Sequence, residues 1–372
     1  MESIPWRWVY EYYFFKNIYP FNQAMESIPW RWVMIEILQP GIQSSIQDVR
    51  PRRGLSQGVS LSGAADSHAA QLANIILGQD PSLPVLEIVS SAFSVHFTES
   101  CVIAITGGGM LWHISSEESL PSNEHLSDLG DQRTLHLGSW RKWIIPPATT
   151  LTGRPSRPGF RSYLGVASGL QSETWLNSRS TELRLGIGGS QSALKKGDTL
   201  HPINPIPAPR PPTSPRSWRI SRDFTHYLHQ DEIRIFPGPE SDWFSQPTLH
   251  AFTNQSWSVS RDSNRMGFRL QTDAKPDLTL PDRNLISTVV LPGTIQMTPS
   301  GPIILGPDAQ TSGGYPRIAQ VCLADQPILA QKSPGESIRF KWISLAEAIT
   351  LVDQHDKDLK QLANAVALHH LT

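Results

Sequence analysis

Cysteine is almost missing from this chain: Cys101 and Cys322 are its only two, and neither belongs to a C-x-x-C pair. Zinc held on thiolates and a disulfide framework are therefore both excluded. Cys101 opens the apolar run Val102-Ile103-Ala104-Ile105 and Cys322 follows Val321, a placement expected of buried strand residues. A charge surplus is missing as well, since 32 Lys plus Arg face 33 Asp plus Glu. No basic excess recommends nucleic acid and no acidic excess suggests a solvating tail, so the expected partner is a small molecule or another protein. No run approaches the ~20 apolar residues of a membrane span. The expected compartment is the reducing cytoplasm.

Common chemical signatures are also absent. Without G-x-x-x-x-G-K-[ST] there is no P-loop to cradle a nucleotide. Gly107-Gly108-Gly109 follows a buried strand, but no Lys or Ser/Thr of the required kind follows it, and a tight turn is the preferred reading. Without G-x-S-x-G there is no nucleophile elbow, so Ser178 and Ser180, beside Arg179, read as hydrogen-bond donors. His226 and His229 are three apart, yet no third ligand of convincing spacing accompanies them, and no metal site is expected.

Proline and glycine are plentiful, 31 and 26 of 372 residues, which with many short apolar runs indicates a turn-rich β protein large enough for about two domains. Met1 to Val9 and Met25 to Val33 are the same nine residues. Structural repeats drift and need at least three units to share a core, so this identity reads as a recent duplication. Met34 is the expected native start, with 1–33 an extension outside the fold. Its aromatic cluster, Trp6 to Phe15, is interrupted by Arg7 and Glu11, which argues against a signal peptide or interfacial helix.

The folded part divides at a proline-rich stretch. Ile88, Phe93, Val95 and Phe97 fall partly at period two. Ser67 to Leu77 is a helix, with Asp66 at the N-cap and Gly78 past its end. His201 to Pro215 favours polyproline conformation and reads as a stiff linker. Ile233 to Phe236 opens a second β unit that ends near Trp342. Ser344 and Glu347 then form a capping box for a C-terminal helix, whose stripe of Leu345, Ile349, Val352, Leu359, Leu362 and Val366 is expected to pack on its own domain.

Gln296 to Arg317 is the most informative stretch. A short apolar strand, Ile303 to Leu305, runs into a loop carrying Asp308, Gln310, Thr311, Ser312 and Tyr315, with Gly313 and Gly314 giving it freedom. A second polar cluster, Ser263 to Arg269, lies upstream. Arg265 and Arg269 offer planar forks for a carboxylate or phosphate, and Gln296, Gln310 and Tyr315 can read the donor and acceptor of an amide. Asp66, Glu87 and Asp308 are the candidate carboxylates for proton transfer. Each has a structural alternative: Asp66 as a helix cap, Glu87 as a sheet-edge charge, the arginines as ion pairs.

These strings, with Pro40 to Asp48, Ser62 to Asp66, Ser178 to Glu182 and Gly293 to Gln296, run in order over some three hundred residues. Together they resemble the family of bacterial 5-oxoprolinase C subunits, also called allophanate hydrolase subunit 2, or the A/B half of the urea carboxylase carboxyltransferase domain. The resemblance implies a mainly β fold of two cyclophilin-like β-barrel domains with a few short helices and a C-terminal helix. The expected boundaries are 34–200 for the first domain, 201–222 for the linker, 223–343 for the second domain and 344–372 for the helix. It implies ATP-driven opening of 5-oxoproline to L-glutamate, with A and B subunits as partners and ATP shared with them. Asp66, Glu87 and Asp308 would be catalytic, and Ser263, Arg265, Arg269, Gln296, Gln310, Thr311, Tyr315 and Arg179 would bind substrate. Biotin enters only under the alternative of a urea-type carboxylase, and on another chain, because no biotinyl-lysine motif is present. A regulatory member that binds a kinase inhibitor is a further alternative.

Overall fold

The computed structural model describes residues 30–31, 33–116, 134–204, 206–207, 219–274, 278–281 and 283–371. The first copy of the duplicated segment, with its aromatic cluster, and residues 208–218 of the proline-rich stretch lie outside them.

Short apolar runs become strands of two antiparallel sheets in the first half of the chain. One sheet has the order Thr199–Leu200, Ile35–Gln39, Phe93–Phe97, Thr149–Pro155, Met110–Ser116, Thr134–Leu137. The other runs Ser44–Gln47, Val85–Val89, Arg161–Val166, Cys101–Gly107, Arg141–Ile145. Their facing residues, Ile35, Ile37, Leu86, Ile88, Phe93, Val95, Ile103, Ile105 and Trp112 among them, fill one core. Val33 is buried in that core too, and Trp30–Arg31 pair with Ile206–Pro207. The second copy of the duplicated segment thus reaches into the fold, and the proline-rich stretch contributes two residues to a ladder, contrary to expectation.

The second sheet is buried on both sides, so its strands lack polar alternation: Val85–Val89 and Arg161–Val166 are buried throughout. The helix Ser67–Leu77 covers its outer face. Asp66 Oδ1 accepts from Ala69 N at 2.8 Å, and Gly78 takes the left-handed conformation, φ 72°, that ends the helix.

The second half closes into a seven-stranded barrel. Its order is Glu232–Pro237, Arg317–Val321, Thr294–Thr298, Gly301–Leu305, Gly267–Gln271, Trp257–Val259 and Ser337–Trp342, with the last pairing parallel to the first. Ile233, Ile235, Phe252, Trp257, Ile295, Ile304, Ile318 and Phe340 fill it. The chain is thus mainly β with a few helices, as expected.

The C-terminal helix, Leu345–Leu371, begins on the expected capping box: Glu347 Oε2 accepts from Ser344 N at 2.7 Å and Ser344 Oγ from Glu347 N at 3.2 Å. Its buried stripe differs from the expected one. Leu345 and Ile349 are exposed, while Ala348, Leu359 and Val366 are buried. Nor does the helix keep to its own domain. Leu359 and Val366 join Ala69, Leu72, Ala73, Ile76 and Trp140 of the first unit in a third apolar cluster that also takes in Phe224 and Tyr227. Leu359→Ala should therefore destabilise the whole chain by about 2–4 kcal/mol. Urea unfolding followed by tryptophan fluorescence should show this as a shift of one cooperative transition rather than loss of one unit alone.

Candidate functional site at the seam between the two units

Period two in the second sheet sets one face apart. Glu87 lies opposite Tyr163 on one side and Ser45 on the other, so these side chains share a face with Gln47 and Arg161. This is a polar patch on a sheet face that water does not reach. The second unit docks on it.

Arg265 supplies the cation. Its Nε and Nη2 donate to Asp308 Oδ2 and Oδ1 at 2.7 and 3.0 Å, while Nη1 donates to Glu87 Oε1 at 2.6 Å and Nη2 also to Gly63 O at 2.6 Å. Arg265 is 4 % exposed, and Glu87 and Asp308 are each 2 % exposed. Burial alone would raise the Glu87 carboxyl, but the guanidiniums of Arg265 and Arg161 outweigh it and hold it below its ordinary value. Glu87 Oε2 further accepts from Ala65 N and Tyr163 OH, both at 2.8 Å. Burial likewise opposes the Arg265 charge, and Asp308 and Glu87 reverse that effect.

Asp66 belongs to the same seam. Its Oδ2 accepts from Tyr227 OH and Gln331 Nε2, both at 2.6 Å, in addition to its cap bond. Burial pushes it up to about 6 despite those donors. Gln331 completes the join: its Oε1 accepts from Phe160 N and Arg161 N, and its Nε2 also donates to Arg161 O.

The two polar strings of the sequence do meet. Asp308 N donates to Arg265 O at 3.0 Å and Gly306 N to Met266 O at 3.0 Å. Gly306 must be glycine here, because a Cβ would stand 2.3 Å from Arg265 O. Ser62 N donates to Pro307 O at 2.8 Å, which lays the 50–63 loop of the first unit along this corner. The expected pair of arginines is split, however. Arg269 is in strand Gly267–Gln271, where Phe268 and Leu270 point inward, so it faces outward, exposed, beside Ser263. Ser263 Oγ accepts from Arg269 N at 3.0 Å and is a turn bond. Gln296 is buried and props the loop from beneath, donating to Tyr315 O at 3.2 Å. Arg179 is half-buried, with Nε on Thr174 Oγ1 at 3.1 Å and its backbone N on Asp48 Oδ2 at 2.9 Å.

Three groups remain open to a ligand. The side chains of Gln310 and Thr311 are half-buried and have no hydrogen-bond partner among the described residues, and Tyr315 is 47 % exposed. A Cβ at Gly58 would lie 4.0 Å from Thr311 Oγ1, so the first unit's loop borders them. The carboxylates expected to move protons are instead sealed in the seam, where they hold the corner in place. His226 and His229 are exposed, and no group of three or more metal-capable side chains occurs among the described residues.

Sequence reasoning missed Arg52, Asp48, Arg161, Tyr163, Tyr227 and Gln331. Arg161, Ser162 and Tyr163 open a strand whose remainder is apolar, and that break was the available signal. Gln331 offered none.

This arrangement has counterparts. Residues 57–342 match the family described as carboxyltransferase domain, subdomain A and B, and the chain belongs to that family. It is 36 % identical over 335 residues to the C subunit of the Escherichia coli (strain K12) 5-oxoprolinase, covering 89 % of this chain and 98 % of that one. It is 29 % identical over 352 residues to the urea amidolyase of Saccharomyces cerevisiae, covering 88 % of this chain but 18 % of that protein. The crystal structure of the Kluyveromyces lactis urea carboxylase superposes with a TM-score of 0.73 at 25 % identity, over 91 % of this chain and 30 % of that one.

Two outcomes test the seam. Arg265→Met leaves Glu87 and Asp308 buried without their cation and should cost about 3–5 kcal/mol in urea unfolding at pH 7. Asp66 titrates near 3.8 when unfolded and about 6 when folded, so the folded state holds the extra proton in between. Stability contributed by the protonated form is therefore lost as pH rises through that window. Unfolding of wild type and Asp66→Asn at pH 4 and pH 7 should show the variant gaining on wild type by up to about 3 kcal/mol.

Proposed function

We propose that the chain is the C subunit of an ATP-dependent 5-oxoprolinase that works in the cytoplasm with an A and a B subunit to hydrolyse 5-oxoproline to L-glutamate. The observation that supports this reading is likeness: the chain is 36 % identical to the Escherichia coli C subunit over 98 % of it, against 29 % to the yeast urea amidolyase.

A lactam carbonyl is a poor electrophile, and ATP supplies the phosphoryl group that turns its oxygen into a leaving group before water attacks. The triple-glycine turn does not suit the nucleotide. Gly108 N already donates to Arg161 O at 2.9 Å and Gly109 N to Pro158 O at 2.7 Å, which leaves no row of free amides for phosphate. We assign ATP to the partner subunits. This chain's part is to present Gln310, Thr311 and Tyr315 to the amide, on a loop that Gln296 and the Arg265 cluster hold still. Asp66, Glu87 and Asp308 then act as positioning residues.

The second reading, a carboxyltransferase subunit of a biotin-dependent urea-type carboxylase, draws on the likeness to the urea carboxylase structure. Urea is amide-shaped too, and the same three side chains could read it.

Co-purified with its neighbouring subunits, the chain should be required for glutamate release from 5-oxoproline and ATP. Gln310→Ala should lower that rate at least tenfold with the unfolding midpoint unchanged. Glutamate formed without this chain would end the proposal, and biotin-dependent carboxylation of urea in its place would establish the second reading.

A further inference from the structure

Met1–Val9 and Met25–Val33 are the same nine residues, and the fold has one seat for them. The second copy defines that seat. Trp30 and Arg31 pair with Pro207 and Ile206 in an antiparallel ladder, and Val33 O accepts from His201 Nδ1 at 3.3 Å. The Val33 side chain is 1 % exposed, in the core that Ile35, Ile37 and Phe97 share. Ladder bonds come from the main chain and are the same for either copy. The core contact is made by a valine, and Val9 is the valine at the matching place of the first copy. Trp6, Arg7 and Val9 can therefore make the same contacts as Trp30, Arg31 and Val33.

Met34 marks where the choice ends. Its N donates to Thr98 Oγ1 at 3.2 Å and its O accepts from Thr98 N at 3.1 Å, and Ile35 then starts the strand Ile35–Gln39. From there on the chain has a single copy, so the rest of the fold is unchanged whichever copy is seated. The second copy enters the seat directly from Met34. The first enters it only by expelling residues 10–33 as a closed loop.

Closing a loop of about 24 residues lowers occupancy on the order of a hundredfold, because the closure entropy scales as the three-halves power of length. The same factor is a ceiling. Damage that weakens the second copy by more than this gives the seat to the first. A copy from another molecule competes poorly, since a short tether holds the chain's own copy at a millimolar effective concentration. We infer that the two copies are alternative occupants of one seat, Met25–Val33 filling it in the ground state and Met1–Val9 replacing it in an exchanged state of the same molecule.

Arg7 and Arg31 have the same W-R-W context, so trypsin reports which copy is seated. Brief digestion of the wild-type full chain, read by mass spectrometry, should cut after Arg7 at least tenfold faster than after Arg31. Val33→Asp would bury a charge if the second copy stayed, so the preference should reverse. Its urea midpoint should fall less than that of Val9→Asp/Val33→Asp, in which neither copy fits, and Val9→Asp alone should match wild type in both measurements. Equal cutting at the two sites in wild type or in Val33→Asp overturns the exchange. So does a Val33→Asp chain that is as unstable, or as unable to fold, as the double variant. A reversal seen only at concentrations where light scattering shows a dimer places the first copy on a second molecule and overturns it too.

Discussion

The arrangement depends on one buried guanidinium. Arg265 comes from the second unit and binds a carboxylate of its own unit, Asp308, and one of the other, Glu87. Two acids and two bases, with Arg161 Nε 3.8 Å from Glu87, are costly out of water unless their polar atoms find partners. Here Tyr163 OH and Ala65 N serve Glu87, and Gly63 O serves Arg265. The bidentate hold on Asp308 fixes the start of the loop that ends in Gln310, Thr311 and Tyr315. A lysine could not grip Asp308 in the same two-point fashion. What is accessible at the surface is therefore aligned by what is sealed below it.

Apolar packing and polar pairing support each other at this seam. The third cluster puts Leu359 and Val366 of the last helix on Ala69 and Ala73, one turn or so from the capped end where Asp66 meets Tyr227 and Gln331. Tyr227 serves both, its ring in the apolar layer and its hydroxyl on Asp66. Side chains of both units thus complete one another's apolar and polar contacts in the seam.

Sequence legibility followed the range of the interaction. The cap at Asp66, the stop at Gly78 and the box at Ser344 and Glu347 each act over three or four residues, and all were readable. Glu87 is expected as a catalytic carboxylate or a sheet-edge charge, but it lies on an inner strand and its partner is 178 positions away, and Gln331 is 265 positions from Asp66. No local pattern encodes such pairings. The reading of Arg265 and Arg269 as one pair failed because strand Gly267–Gln271 begins between them, and its alternation turns Arg269 outward. The stripe of the last helix was misplaced for a related reason: the first turns bury the small Ala348, beside Cys322, while the larger Leu345 and Ile349 stay exposed.

The join between the first unit's helix and the last one also has a temporal side. A ribosome makes the strands and the helix Ser67–Leu77 long before it reaches Leu359, so the nascent first unit emerges with its ionised sheet face and alanine-lined helix uncovered. Those surfaces must wait until the helix Leu345–Leu371 is made, and a polypeptide released before it would carry both β units without the helix that joins them. Such a product is an obvious client for chaperones and proteases.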